Sequence, residues 1–252
     1  MTTTAERAEP GVVLLIPGLD GQPDLLAKAV EQVWPGWRVV YYDHRHDRAA
    51  GGLAGLADRA AARLEAAVGS DGRAVVCGES FGCLIALALA LRHPQRVRAL
   101  VLLAGFAWYP WPQRLLARLG LGAWRVLGDP AAILVLRVGR LLGLLVHVRW
   151  NPSSAFVASY LGQPWPDLAA YRAKCRLVLE ADVRPYLPLL RCPLLVVIGG
   201  FDPVVPMSAG LEVAALAGGQ VARVPGGHVP HLVAPGHVGR HIADWLAGSV
   251  RR

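Results

Sequence analysis

The stretch "VVCGESFGCLIALALA", residues 75–90, decides how the chain is read. Small and β-branched apolar residues lead into Gly78-Glu79-Ser80-Phe81-Gly82, and an apolar run of helical length follows. The pattern predicts a strand, a tight turn and a helix, with one serine between two glycines. Such a turn is strained, and the flanking glycines give the backbone room. It projects the serine oxygen at the carboxyl end of a sheet. The N–H of Phe81, at the helix start, can then point at an oxyanion.

Outward from this stretch the chain alternates. Apolar runs at residues 11–18 ("GVVLLIPG"), 37–43 ("WRVVYYD"), 73–78 ("RAVVCG"), 97–105 ("VRALVLLAG"), 192–200 ("CPLLVVIGG") and 220–227 ("QVARVPGG") read as strands bounded by Gly, Pro or Asp. Residues 23–34, 53–69, 81–94, 208–218 and 237–248 carry helical spacing. The strands are too uniformly apolar to face water on either side, so the expectation is a mostly parallel α/β sheet flanked by helices on both faces.

Between residues 106 and 180 the rhythm breaks. This region is rich in Trp, Pro, Leu and Arg and offers helical patterns but no clear strand. It reads as a helical cap inserted into a core of residues 1–105 and 181–252. Its longest apolar run, "AAILVLRVGRLLGLLVHV" at 131–148, is interrupted by Arg137 and Arg140. That favours an amphipathic lid helix over a membrane span and leaves open a weak contact with a membrane surface.

Composition narrows the function classes. A chain of 252 residues is long enough for one full core, and no repeat or low-complexity tract stands out. The net charge of +8 comes from scattered basic residues without a nucleic-acid motif, so no nucleic-acid partner is expected. The polar N-terminus "MTTTAERAEPG" lacks a signal-peptide pattern, and a cytoplasmic location is expected. None of the four cysteines forms a Cys-x-x-Cys pair, and Cys77 and Cys83 read as buried thiols. No metal is expected: His44 and His46 in "DHRHDR" read as a solvated loop, and nothing nearby completes a ligand set for His237 and His241.

A serine at its ordinary pKa needs a base, and the base needs an orienting acid. Downstream of Ser80, "LLVVIGGFDPVVP" places Asp202 just past one strand, and "VPGGHVPHL" places His228 just past the next. Both fall at the sheet edge that carries Ser80. His231, three residues on, competes with His228 as the base and otherwise reads as a structural histidine; Asp182 reads as a helix cap or an arginine partner.

The chain resembles the α/β-hydrolases of the capped, esterase- and lipase-like kind along nearly its whole length. "LLIPGLDG", "GESFG", "GGFDPVVP" and "GGHVPHLVAP" carry the likeness. The resemblance implies that Ser80 is the nucleophile, Asp202 the acid and His228 the base, with Leu19 and Phe81 supplying the oxyanion N–H groups. Pro17 stands where such proteins usually carry His, which leaves a backbone donor intact. It also implies serine-ester hydrolysis without a cofactor, on a small hydrophobic ester. The "PGLDG" form is similar to that of acyltransferases acting on long-chain acyl groups, so acyl transfer or thioester cleavage stays an alternative, and a non-catalytic ligand binder a lesser one. Trp108, Tyr109 and Trp111 enter the cap from a strand end. They suit either lid packing or an aromatic wall of an acyl pocket.

Overall fold

The computed structural model describes residues 11–70 and 72–249; the expectation drawn from the extreme N-terminus lies outside them. Six strands form one sheet: β1 Val12–Ile16, β2 Arg38–Tyr41, β3 Ala74–Glu79, β4 Val97–Leu103, β5 Leu194–Gly199 and β6 Gln220–Val224. Their spatial order is β2-β1-β3-β4-β5-β6 and every pairing is parallel. Each of the six runs recognised by composition is therefore a strand of the sheet.

Alternation along the strands explains the two-sided burial. Leu14, Ile16, Val76, Leu100, Leu102, Val196 and Ile198 point into one core, under helices α2 Gly52–Val68, α3 Phe81–Arg92 and α8 Met207–Ala217. Val13, Leu15, Val75, Val101, Leu195 and Val197 point into the other, covered by α1 Asp24–Val33 and α10 Pro235–Ser249. Burying one such side chain is worth roughly 1.5–3 kcal/mol, so neither face can be left to water. α3 is buried along Phe81–Ala90, which is why its sequence shows no polar stripe.

Between β4 and β5 the chain forms α4 Gln113–Leu127, α5 Asp129–His147, α6 Ser154–Leu161 and α7 Leu168–Glu180. This segment adds no strand to the sheet. It enters and leaves through one neck: Trp108 and Asp182 form an isolated antiparallel bridge, and Val183 donates its N–H to the Ala107 carbonyl at 2.9 Å. Asp182 also pairs with Arg184 at 2.6 Å. The four-residue helix α9 Pro230–Val233 follows β6.

Because all strands run parallel, the loops after β1, β2, β3, β5 and β6 share one edge of the sheet. Ligands of open α/β sheets bind at this edge.

Candidate active site

β3 ends at Glu79 and α3 begins at Phe81, so Ser80 alone makes the turn. Its φ of 53° and ψ of −118° are costly for any residue with a Cβ, on the order of 1–3 kcal/mol. Hydrogen bonds hold it there: Ser80 N–H donates to Leu103 O and Cys83 N–H to Ser80 O, both at 2.9 Å. The flanking glycines act through contact, since neither is left-handed. A Cβ on Gly82 would stand 2.2 Å from Ile16 O, and one on Gly78 would stand 2.6 Å from Gly82 O. Only glycines let α3 start this close to β1 and β3.

Asp202 and His228 come from the loops after β5 and β6. Those loops are joined by Gly200 N–H to Val224 O at 3.1 Å and Phe201 N–H to Gly226 O at 3.0 Å. Asp202 Oδ1 accepts from Val204 and Val205 N–H at 2.8 and 2.9 Å. Its Oδ2 lies 2.8 Å from His228 Nδ1, and His228 Nε2 lies 2.9 Å from Ser80 Oγ. A carboxylate only accepts, so Nδ1 carries the proton and Nε2 is free to accept from the Ser80 hydroxyl. Burial disfavours the His228 cation, but the charge and hydrogen bond of Asp202, with Glu79 behind them, outweigh it and raise its pKa.

Phe81 is buried and opens α3, so its N–H has no carbonyl one turn back to bond. Leu19 is partly buried against the core, in the loop after β1. Sequence reading missed what fixes that loop. Gly18 donates its N–H to Glu79 Oε2 at 2.9 Å. Burial pushes the Glu79 carboxyl up to about 7; His228 and the Gly18 N–H oppose that rise, while Asp20 and Asp202 add to it. The available signal was a carboxylate beside the serine at the end of an otherwise apolar strand.

A second anchor overturns an expectation. His44 is not in a solvated loop: it is 2% exposed. Its Nε2 lies 3.1 Å from Pro17 O, and its backbone N–H donates to Gly21 O at 3.0 Å. Lys174 on α7, itself fully buried, donates to His44 O at 3.1 Å and sits 3.4 Å from His44 Nδ1. Burial, then the Lys174 charge, pull the His44 pKa down to about 4. A contact across 130 residues leaves no local trace at His44, although Lys174 is one of only two lysines among many arginines. His46 is exposed, as expected, with Nδ1 3.2 Å from Asp167 Oδ2.

The three aromatics part company. Tyr109 donates its hydroxyl to Val204 O at 3.2 Å, on the Asp202 loop, and burial with the Asp202 charge pushes its pKa up to about 12. The guanidinium groups of Arg114 and Arg184 lie over the Trp108 ring, at 5.1 and 4.4 Å. Trp111 stands 64% exposed just before α4. Only Tyr109 borders the Asp202 side. From the other side, the last turn of α5 brings His147 so close that a Cβ on Gly227 would lie 3.1 Å from its Nε2. His231 is buried with neither ring nitrogen partnered.

A sequence model of the alpha/beta hydrolase fold matches residues 11–235. The chain belongs to that family. A protein of Caulobacter sp. (strain K31), provisionally named the carbamate hydrolase RutD, is 28% identical over 94% of this chain and 91% of its own length. The pimeloyl-[acyl-carrier protein] methyl ester esterase of Aromatoleum aromaticum is 33% identical over 69% of this chain and 74% of its own. Among solved structures, a hydrolase from Pseudomonas aeruginosa PA01 superimposes with a TM-score of 0.76 over 95% of this chain and 91% of that one, at 22% identity. The fold is thus an α/β-hydrolase fold, and kinship supports a hydrolase enzyme.

Proposed function

We propose that the protein is a serine hydrolase that cleaves carboxylic esters with a hydrophobic acyl group. The observation that carries this reading is the continuous hydrogen-bonded line from Asp202 through His228 to Ser80, ending on a strained turn. In this reading His228 takes the hydroxyl proton as Ser80 Oγ attacks the ester carbonyl. The oxyanion is held by the N–H groups of Leu19 and Phe81. His228 then hands the proton to the departing alcohol. Water, activated by the same imidazole, releases the acid from the acyl-enzyme. Asp202 fixes the tautomer and steadies the imidazolium.

The helices α4–α7 serve as a cap in this reading, with Tyr109 on the cleft side. The apolar residues that this cap turns inward suit an uncharged acyl chain. The names of the relatives, a methyl ester esterase and a carbamate hydrolase, support hydrolysis at an ester- or amide-like carbonyl. No cofactor is required.

The test is hydrolysis of p-nitrophenyl esters from acetyl to palmitoyl by wild type and Ser80→Ala side by side. Turnover by wild type, lowered by about 10⁴-fold or more in a folded Ser80→Ala variant, is the expected result. Comparable turnover in both would remove Ser80 from the chemistry.

A further inference from the structure

α5 is 19 residues long, yet only 11% of its apolar window is buried. Leu134, Val138, Leu141 and Leu145 recur at intervals of four, three and four, so they share one face, and each is 48–62% exposed. The opposite side is the one used by the protein: Ala132 and His147 are buried. α4, which packs against α5, repeats the arrangement. Its Trp124 is buried and donates its indole N–H to Asp129 Oδ1 at 2.8 Å, while Leu116 and Leu119 are 66% and 62% exposed. Single exposed apolar residues are ordinary, but two adjoining helices that each turn a leucine row outward are not.

Charge selects the occupant. From residue 113 to 165 the sequence holds six arginines and one acid, Asp129, which is the partner of Trp124. Arg118 and Arg125 lie exposed seven residues apart on a second row of α4, and Arg137 falls beside the leucine row of α5. Trp111, Trp150 and Trp165 stand 46–64% exposed at the ends of these helices and in the loop after α6, with Arg140 stacked 4.6 Å from the Trp165 ring. Leucines, flanking arginines and peripheral indoles together match an anionic lipid interface. A second copy of the chain would set this basic surface against itself in a two-fold pairing. α5 is long enough to cross a bilayer, but Arg137 and Arg140 sit in its middle and its inner side is engaged, so it suits lying in the surface.

We propose that the outward face of α4 and α5 docks the protein on an anionic phospholipid bilayer, with the helices in the plane of the surface. The assay is co-sedimentation of the full chain with vesicles of phosphatidylcholine alone or mixed with phosphatidylglycerol. It reads binding without any ester, so it is independent of the serine chemistry. Wild type is expected to pellet with the mixed vesicles, to do so less at high salt, and to stay in solution with phosphatidylcholine alone. Leu141→Glu/Leu145→Glu, both exposed positions, should weaken binding at least about tenfold while circular dichroism and the hydrolysis of a soluble ester are unchanged. Failure to pellet with mixed vesicles, or equal binding to both kinds, overturns the proposal. So does a wild-type dimer by light scattering that the double variant abolishes, because that result would put a second copy on this face.

Discussion

Gly18 donates its N–H to Glu79 Oε2 at 2.9 Å, tying the loop after β1 to the residue just before Ser80. The approach is close: a Cβ on Gly18 would stand 2.8 Å from that oxygen. The loop after β1 and the Ser80 turn are thus set by one buried carboxylate. Glu79→Ala should leave Leu19 unanchored and lower kcat by about 100-fold, the usual effect of a misplaced oxyanion donor. Glu79→Gln keeps an acceptor for Gly18 and should retain most of that activity. Steady-state kinetics on one soluble ester separates the two; equal losses would mean that the anchor is not what matters.

The pH profile follows from His228. The Asp202 charge favours its protonated form, with Glu79 adding to this. In the proposed reaction the base is the neutral ring, so kcat/KM should rise with pH along a limb lying above the ordinary histidine value of 6.5. Asp202→Asn should move that limb to lower pH and cut kcat by roughly 10⁴-fold, because the ring then loses its enforced tautomer. A limb that stays in place in Asp202→Asn would detach Asp202 from His228.

Most of the fold was legible because buried parallel strands announce themselves. Six short apolar runs ended by Gly, Pro or Asp became the six strands, and Ser80, Asp202 and His228 lie just past three of them. What was illegible depends on contacts across the chain. His44 reads as a polar loop residue until Lys174, on α7, is seen to cover it. Glu79 reads as a spacer until Gly18 is seen beside it. Trp111 sits two residues from Tyr109 in sequence, but one turns outward and the other inward, and no local rule distinguishes them.

The glycines of the turn carry a steric prediction. In Gly82→Ala the new methyl meets Ile16 O and Pro17 O, at 2.2 and 2.5 Å before relaxation. Both are backbone atoms, so the clash is relieved only by moving β1 or α3. A loss of about 1–3 kcal/mol in urea unfolding is expected. Activity should fall as well, since the same shift disturbs the Leu19 loop. An unchanged unfolding midpoint would show that α3 has slack the structure does not display.

His231 gives a stability prediction with a definite sign. Burial, then the neighbouring His228 and His147, hold its pKa down to about 3. Between 6.5 and 3 the unfolded chain takes up a proton that the folded ring refuses, so this residue costs stability as pH falls. His231→Leu removes that cost. Its stability relative to wild type should improve by roughly 1 kcal/mol per pH unit as pH falls below about 6.5. Urea denaturation of both proteins at about pH 7 and pH 5 reads the difference, and the contribution of Glu79 cancels between them. A difference independent of pH would place a partner on the His231 ring.

The most direct test of the serine chemistry is covalent. A fluorophosphonate probe reacts with a serine only when its hydroxyl is activated, and peptide mass spectrometry locates the adduct. Stoichiometric labelling of Ser80 in wild type, slowed by orders of magnitude in His228→Ala, is the expected result. Folded wild type that takes no label, or labels equally fast without His228, would contradict a catalytic role for the Asp202–His228–Ser80 line.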